Sequence, residues 1–77
     1  DLTYAMLDQV DFSQADLSDS IFTEALFLGS TFADTKITGA DFTDAIFDRE
    51  QLRQLCLRAE GVNSRTGVDT RYSLGCR

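Results

Sequence analysis

The chain reads as an all-β solenoid closed at its C-terminal end by an α-helical cap, and three observations predict it. Taken in blocks of five from Ala5, the third residue of each block is Leu7, Phe12, Leu17, Phe22, Phe27, Phe32, Ile37, Phe42 and Phe47, all large and apolar. The first residue of each block is Ala5, Val10, Ala15, Ser20, Ala25, Ser30, Thr35, Ala40 and Ala45, so only Val10 is not Ala, Ser or Thr. Beyond Phe47 this frame stops and apolar residues recur at helical spacing instead. A period of five fits neither the turn of a helix nor the alternation of a strand. Self-similarity at a short fixed period means that each unit buries its apolar residue by stacking on the next, which gives a coiled β-ladder.

The pattern small-x-(Leu/Phe)-x-x covers residues 1 to 49 and resembles the pentapeptide-repeat family. The resemblance implies a right-handed quadrilateral β-helix with four blocks per coil. The third residue of each block and the small residue two before it then point inward, and the other three face out. The expected division is a repeat shaft over 1–49 and a cap over 50–77. The frame reaches back to Leu2, five residues before Leu7. Residues 5 to 49 fill little more than two coils, whereas a solenoid generally needs about three stacked units. Further coils, or a partner, are expected at the N-terminal end.

Four blocks per coil place residues twenty apart on one face. Three faces carry mostly polar residues at the outward position before the centre: Asp11 and Thr31, Asp16 and Lys36, Ile21 and Asp41. The fourth carries Met6, Leu26 and Ile46, with Leu28 beside them, an apolar ladder on the outside of the shaft. Asp8 and Asp48 flank it on either side of Leu28, about 10 Å apart at ~4.8 Å per coil. Two coverings stand equal at this point. The tail, residues 61–77, could fold back over the ladder with Val62, Val68, Tyr72 or Leu74, or a protein partner could dock there, as exposed apolar patches usually mean.

The cap begins at Asp48-Arg49-Glu50-Gln51, an N-cap with Gln three residues on, and Leu52, Leu55, Cys56 and Ala59 follow at helical spacing. A helix over roughly 49 to 60, ended by Gly61, would lay this stripe across the open coil and cover its unpaired backbone. Asn63, Ser64 and Gly67 then mark a turn-rich connection, and Asp69 or Thr70 could cap a short helical turn ended by Gly75. Cys56 and Cys76, without any His, are too few for a zinc site and do not form a CxxC pair. They read as a disulfide pinning the tail to the helix, contributing about 3 kcal/mol in the chain-entropy model and pointing to an oxidising compartment. The sharper alternative is a reducible switch that loosens the cap. The run from Gln54 to Cys76, with Thr66-Gly67-Val68-Asp69-Thr70-Arg71 at its centre, looks like the C-terminal cap of the thylakoid-lumenal pentapeptide-repeat proteins of plants and cyanobacteria. That resemblance implies a lumenal location, a Cys56–Cys76 disulfide and no established biochemical activity.

Charge narrows the function classes. Residues 1–49 balance at −8 and residues 50–77 at +2, within an overall −6. Such a shaft repels nucleic acid and anionic lipid, and no apolar run is long enough to span a membrane. No carboxylate cluster carries the oxygens and glycine of a calcium loop, and Ser and Thr lack a His to activate them. The expectation is therefore a non-enzyme with no cofactor, metal or small-molecule substrate. It would act as a scaffold or protein-interaction module of the thylakoid lumen that supports a photosynthetic membrane complex through Met6, Leu26, Leu28 and Ile46, flanked by Asp8 and Asp48. Two alternatives are a redox-regulated lumenal protein acting through Cys56 and Cys76, and an acidic DNA mimic that inhibits a type II topoisomerase, a role that other pentapeptide-repeat proteins fill.

Overall fold

Every fifth residue of the repeat turns a corner. In the computed structural model, which describes residues 2–76, Tyr4, Gln9, Gln14, Asp19, Glu24, Gly29, Asp34, Gly39 and Asp44 all have positive φ, between 55° and 78°. Seven of these nine are not glycine, and the left-handed conformation costs such residues roughly 1–2 kcal/mol each. The surrounding bonds hold them there. At most corners the carbonyl of the block centre accepts from the amide of the next small residue, as in Ala15 N to Phe12 O at 2.9 Å and Ala40 N to Ile37 O at 2.9 Å. The corner after Leu7 differs because Val10 stands where the others have a small residue. There the Ser30 hydroxyl inserts, accepting from Val10 N at 3.0 Å and donating to the Leu7 carbonyl.

Between corners the coils pair in parallel as isolated bridges of residues twenty apart: Met6 with Leu26, Asp11 with Thr31, Asp16 with Lys36, Ile21 with Asp41, and Leu26 with Ile46. Four blocks therefore make one coil, and the β-ladder consists of single bridges between turns, with no longer strand among the described residues. The register is strict. Up to Phe27 the amide of each third residue reaches a carbonyl of the next coil, as in Leu7 N to Leu26 O at 2.8 Å and Phe12 N to Thr31 O at 2.9 Å, and up to Glu24 the amide of each fifth residue does the same, as in Gln14 N to Ala33 O at 2.8 Å.

Inside, the block centres stack into columns. Phe12 lies on Phe32 with centroids 5.4 Å apart, Phe22 on Phe42 at 5.4 Å and Phe27 on Phe47 at 4.9 Å. Rings of adjacent columns meet edge to face. Each such pair contributes about 0.5–1.5 kcal/mol beyond its buried area. Ala25, Ser30, Thr35 and Ala40 are buried with the centres, whereas Val10, the one larger residue at this position, is exposed.

The helix α1, Arg49–Arg58, starts at the expected capping box: Gln51 N donates to Asp48 Oδ1 and Asp48 N to Gln51 Oε1, both at 2.8 Å. Leu55 and Ala59 are buried against the aromatic columns, with Leu52 and Cys56 half-buried beside them. The expected end at Gly61 is not what forms. The helix ends at Arg58 with Ala59 as its C-cap, and Gly61, at φ 86°, lies so close to Gly39 that a Cβ would sit 3.0 Å from its amide nitrogen. A second helix, α2 (Thr70–Leu74), is capped by Asp69 and closed by Gly75 in the left-handed region, as the sequence suggests. Cys56 and Cys76 form a disulfide with an S–S distance of 2.01 Å.

The last coil has no coil above it, and residues beyond Phe47 supply substitutes for the missing backbone. Gln51 Nε2 donates to Phe27 O and Ser30 O, each at 2.6 Å. Arg58 donates to the Phe32 carbonyl, and Gly39 N to Glu60 O at 2.9 Å. Asn63 Nδ2 donates to Ser20 O at 3.1 Å and Gly39 O at 3.0 Å, and Phe42 N donates to the Ser73 hydroxyl at 3.0 Å.

Candidate functional site

The outward apolar ladder survives folding uncovered. Met6 is 79 % exposed, Ile46 47 % and Leu28 45 %, with Leu26 half-buried at the centre of the column. The bridges from Met6 to Leu26 and from Leu26 to Ile46 hold three of them in register up one face. Asp8 and Asp48 are exposed residues of the same face.

The tail takes a different route. Asn63 binds the Ser20 and Gly39 carbonyls, Ser64 N donates to Asp19 Oδ1 at 2.7 Å, and the Ser64 hydroxyl donates to the same carboxylate. Ser73 holds Phe42. The tail thus lies along the neighbouring face, and it buries Ile21 and Asp41, two positions expected to face solvent. Of the four tail residues that could have covered the ladder, Leu74 enters the core, Val62 and Tyr72 are exposed and Val68 is half-buried.

The acidic surface is partly committed to holding the fold. The Asp11 carboxyl is held below its usual range by bonds from the Ser13 hydroxyl and amide and from Thr31. Asp16 is lowered in the same way by Ser18, and Asp19 by Ser64. Burial pushes Asp41 up, but bonds from the Thr43 hydroxyl, the Thr66 hydroxyl and the Thr43 amide outweigh it and leave the carboxyl lowered. Among the described residues no group of three or more Cys, Asp or Glu is placed to hold a metal ion, and no helix is long and apolar enough to cross a membrane.

The disulfide is half-buried and borders a surface cleft lined by Arg49, Leu52, Arg53 and Leu57. Two further clefts follow the upper edge of the last coil. One, of about 370 Å³, runs between Gly29–Ala33 and the helix residues Glu50, Gln51, Gln54 and Arg58. The other, of about 340 Å³, lies along residues 34–38 beside Arg58 and Glu60. Sequence reasoning missed Arg58, and it read Asn63 as a turn residue without its bonds to the Ser20 and Gly39 carbonyls. The Asn63-Ser64 pair was a readable signal for a tight turn, and in the structure the Asn63 side chain does accept from Arg65 N at 3.0 Å and Thr66 N at 2.9 Å.

Comparisons with known proteins agree with this architecture. The family model for pentapeptide repeats matches residues 1–27 and 11–49, with eight copies of the repeat. The thylakoid lumenal protein TL20.3 of Arabidopsis thaliana is 61 % identical over 41 residues, which is 53 % of this chain and 15 % of that protein. The thylakoid lumenal 15 kDa protein 1 of the same plant is 47 % identical over 47 residues, 61 % of this chain and 21 % of that protein. The chain thus matches about a fifth or less of the length of these relatives. A crystal structure of a pentapeptide repeat protein from the Arabidopsis thaliana thylakoid lumen aligns with 99 % of this chain and 57 % of its own length, at TM-score 0.61 and 39 % identity.

Proposed function

Taking as premise that this chain belongs to the pentapeptide-repeat family, whose model matches well over half of it, we propose that it is a non-catalytic protein-interaction module of the thylakoid lumen. Its repeat shaft and helical cap form a rigid support, and the cap takes up part of the last coil's edge. The shaft presents Met6, Leu26, Leu28 and Ile46 to a membrane complex of the photosynthetic apparatus, with Asp8 and Asp48 at the rim. The lumenal relatives support the location. One observation carries the rest: the tail folds onto the adjacent face and leaves this ladder open. A stack of β-coils fixes the backbone that holds these side chains in register, so binding has only the side chains to order, which favours association.

The test is capture of one complex from solubilised thylakoids by the immobilised protein, repeated with that complex purified. A Leu26→Asp/Ile46→Asp double variant is expected to lose capture while its circular dichroism stays unchanged. Undiminished capture by the folded variant overturns the reading.

A second reading has its own observation. The Cys56–Cys76 bond is only half-buried and is bordered by Arg49 and Arg53, a setting that favours the approach of an attacking thiolate. Reduction is then expected to lower the melting temperature and free α2 from α1, and an unchanged melt on reduction eliminates a switch. Duplex mimicry fits less well, because Asp19 and Asp41, two of the shaft's acids, are engaged by the tail.

A further inference from the structure

The upper edge of the last coil carries an unfilled coil position, and we propose that it accepts a peptide segment of a partner protein that turns the same corner as the coil beneath it and pairs with it in parallel by β-augmentation. In the coil below, Phe12 N, Gln14 N and Leu17 N donate upward to the carbonyls of Thr31, Ala33 and Lys36, at 2.9, 2.8 and 2.7 Å. One coil later the equivalent donors are the amides of Phe32, Asp34 and Ile37. Among the described residues these three have no acceptor, because at Asp48 the chain leaves the ladder and becomes α1. The carbonyl of Thr35, equivalent to the Ala15 carbonyl that accepts from Lys36 N at 2.9 Å, likewise has no donor among the described residues. On either side of this stretch the cap takes up the Ser30 and Gly39 carbonyls and the Gly39 and Phe42 amides with Gln51, Asn63, Glu60 and Ser73.

The open stretch coincides with the two clefts of about 370 and 340 Å³ on either side of Arg58. Arg58 reaches down from α1 to the Phe32 carbonyl and leaves the neighbouring amide donors unused. The coil below specifies the occupant's geometry: a segment of about six residues that runs parallel to residues 31–36, turns a corner above Asp34 as residues 31–36 turn above Gln14, and places three carbonyls over three amides. Recognition by an exposed edge gives affinity through the main chain and selectivity through alternate side chains. Exposed edges are otherwise blunted or covered. This site is separate from the apolar ladder.

The probe is a synthetic, acetylated and amidated peptide of residues 30–37, whose own carbonyls fill these positions one coil lower. Added to the isotopically labelled 77-residue chain, it is expected to shift the amide resonances of Phe32, Asp34 and Ile37 at up to millimolar concentration and to slow their hydrogen exchange several-fold. Ala33→Trp, which fills the mouth of the larger cleft, is expected to abolish these shifts. Leu26→Asp/Ile46→Asp should leave them intact, so failure of the ladder reading would not touch this one. The proposal is overturned if the three amides are already protected in the free protein, if the peptide perturbs other residues instead or none, or if Ala33→Trp binds as the wild type does.

Discussion

At the scale of single residues, the acids divide into those that hold the fold and those that only face water. Asp41 is the sharpest case, a carboxylate 2 % exposed that accepts from Thr43 N at 3.0 Å and from the Thr43 hydroxyl. Its pKa is lowered in the folded chain, and Asp19 is lowered by Ser64. A lowered folded pKa means that the unfolded chain binds more protons in the window between the two values, so stability rises with pH there. The contribution of both groups is full above the unfolded value of about 3.9 and is lost as pH falls through the folded values. The urea midpoint is therefore expected to stay level from neutral pH to about pH 5 and then fall. In an Asp19→Asn/Asp41→Asn variant that fall should be shallower. An equal slope in the two proteins would show that the tail's grip does not depend on these carboxylates. The same residues explain why the route of the tail was not legible. It is fixed by polar side chains on backbone carbonyls, Asn63 above all, and hydrophobic patterning gives no information about such contacts.

At the scale of elements, legibility followed the strength of the local signal. The capping box at Asp48 and Gln51, the stripe through Leu55 and Ala59, and the short helix between Asp69 and Gly75 could all be read from residue type and spacing, because each depends on neighbours in the chain. Gly61 could not. It looked like a helix terminator, yet its lack of a side chain serves the close approach to Gly39, a contact twenty-two residues away in sequence. The left-handed corners were equally silent, since Gln9, Gln14 and Glu24 are unremarkable residues held in that conformation by the coil. Gln51 shows how a residue read locally does more in three dimensions. It completes the capping box, and it also tethers α1 to the carbonyls of Phe27 and Ser30. Asp48→Ala should cost about 1 kcal/mol, as an ordinary N-cap does. Gln51→Ala should cost roughly 2–3 kcal/mol, because it also strands a buried carbonyl. Thermal melts would separate them, at roughly 4–8 °C per kcal/mol for a chain of this size. Equal melting temperatures for the two variants would mean that Gln51 acts as a cap and no more.

At the scale of the whole molecule, a solenoid's stability is a sum over neighbouring units, so one column of the core should show position-dependent costs for the same kind of truncation. Leu7, Phe27 and Phe47 form such a column. Phe27 is fully buried and its ring meets Phe12, Phe22, Phe32, Phe42 and Phe47 with centroids between 4.9 and 6.0 Å apart. Leu7 is half-buried at the edge of the same cluster. Removing a fully buried Phe leaves a cavity whose walls are themselves stacked rings, which relax little, so Phe27→Ala should cost about 3–5 kcal/mol. Leu7→Ala removes contacts on one side only and should cost about half as much or less. Urea unfolding of the 77-residue chain measures both, provided the denaturant dependence is unchanged so that the midpoints report stability alone. The apolar ladder provides the internal control. Met6→Ala lies in the outward register one position before Leu7 and is 79 % exposed, so the midpoint should hardly move. If truncating Met6 costs as much as truncating Leu7, the inward and outward registers of this face are not as described, and the ladder loses its standing as a free surface.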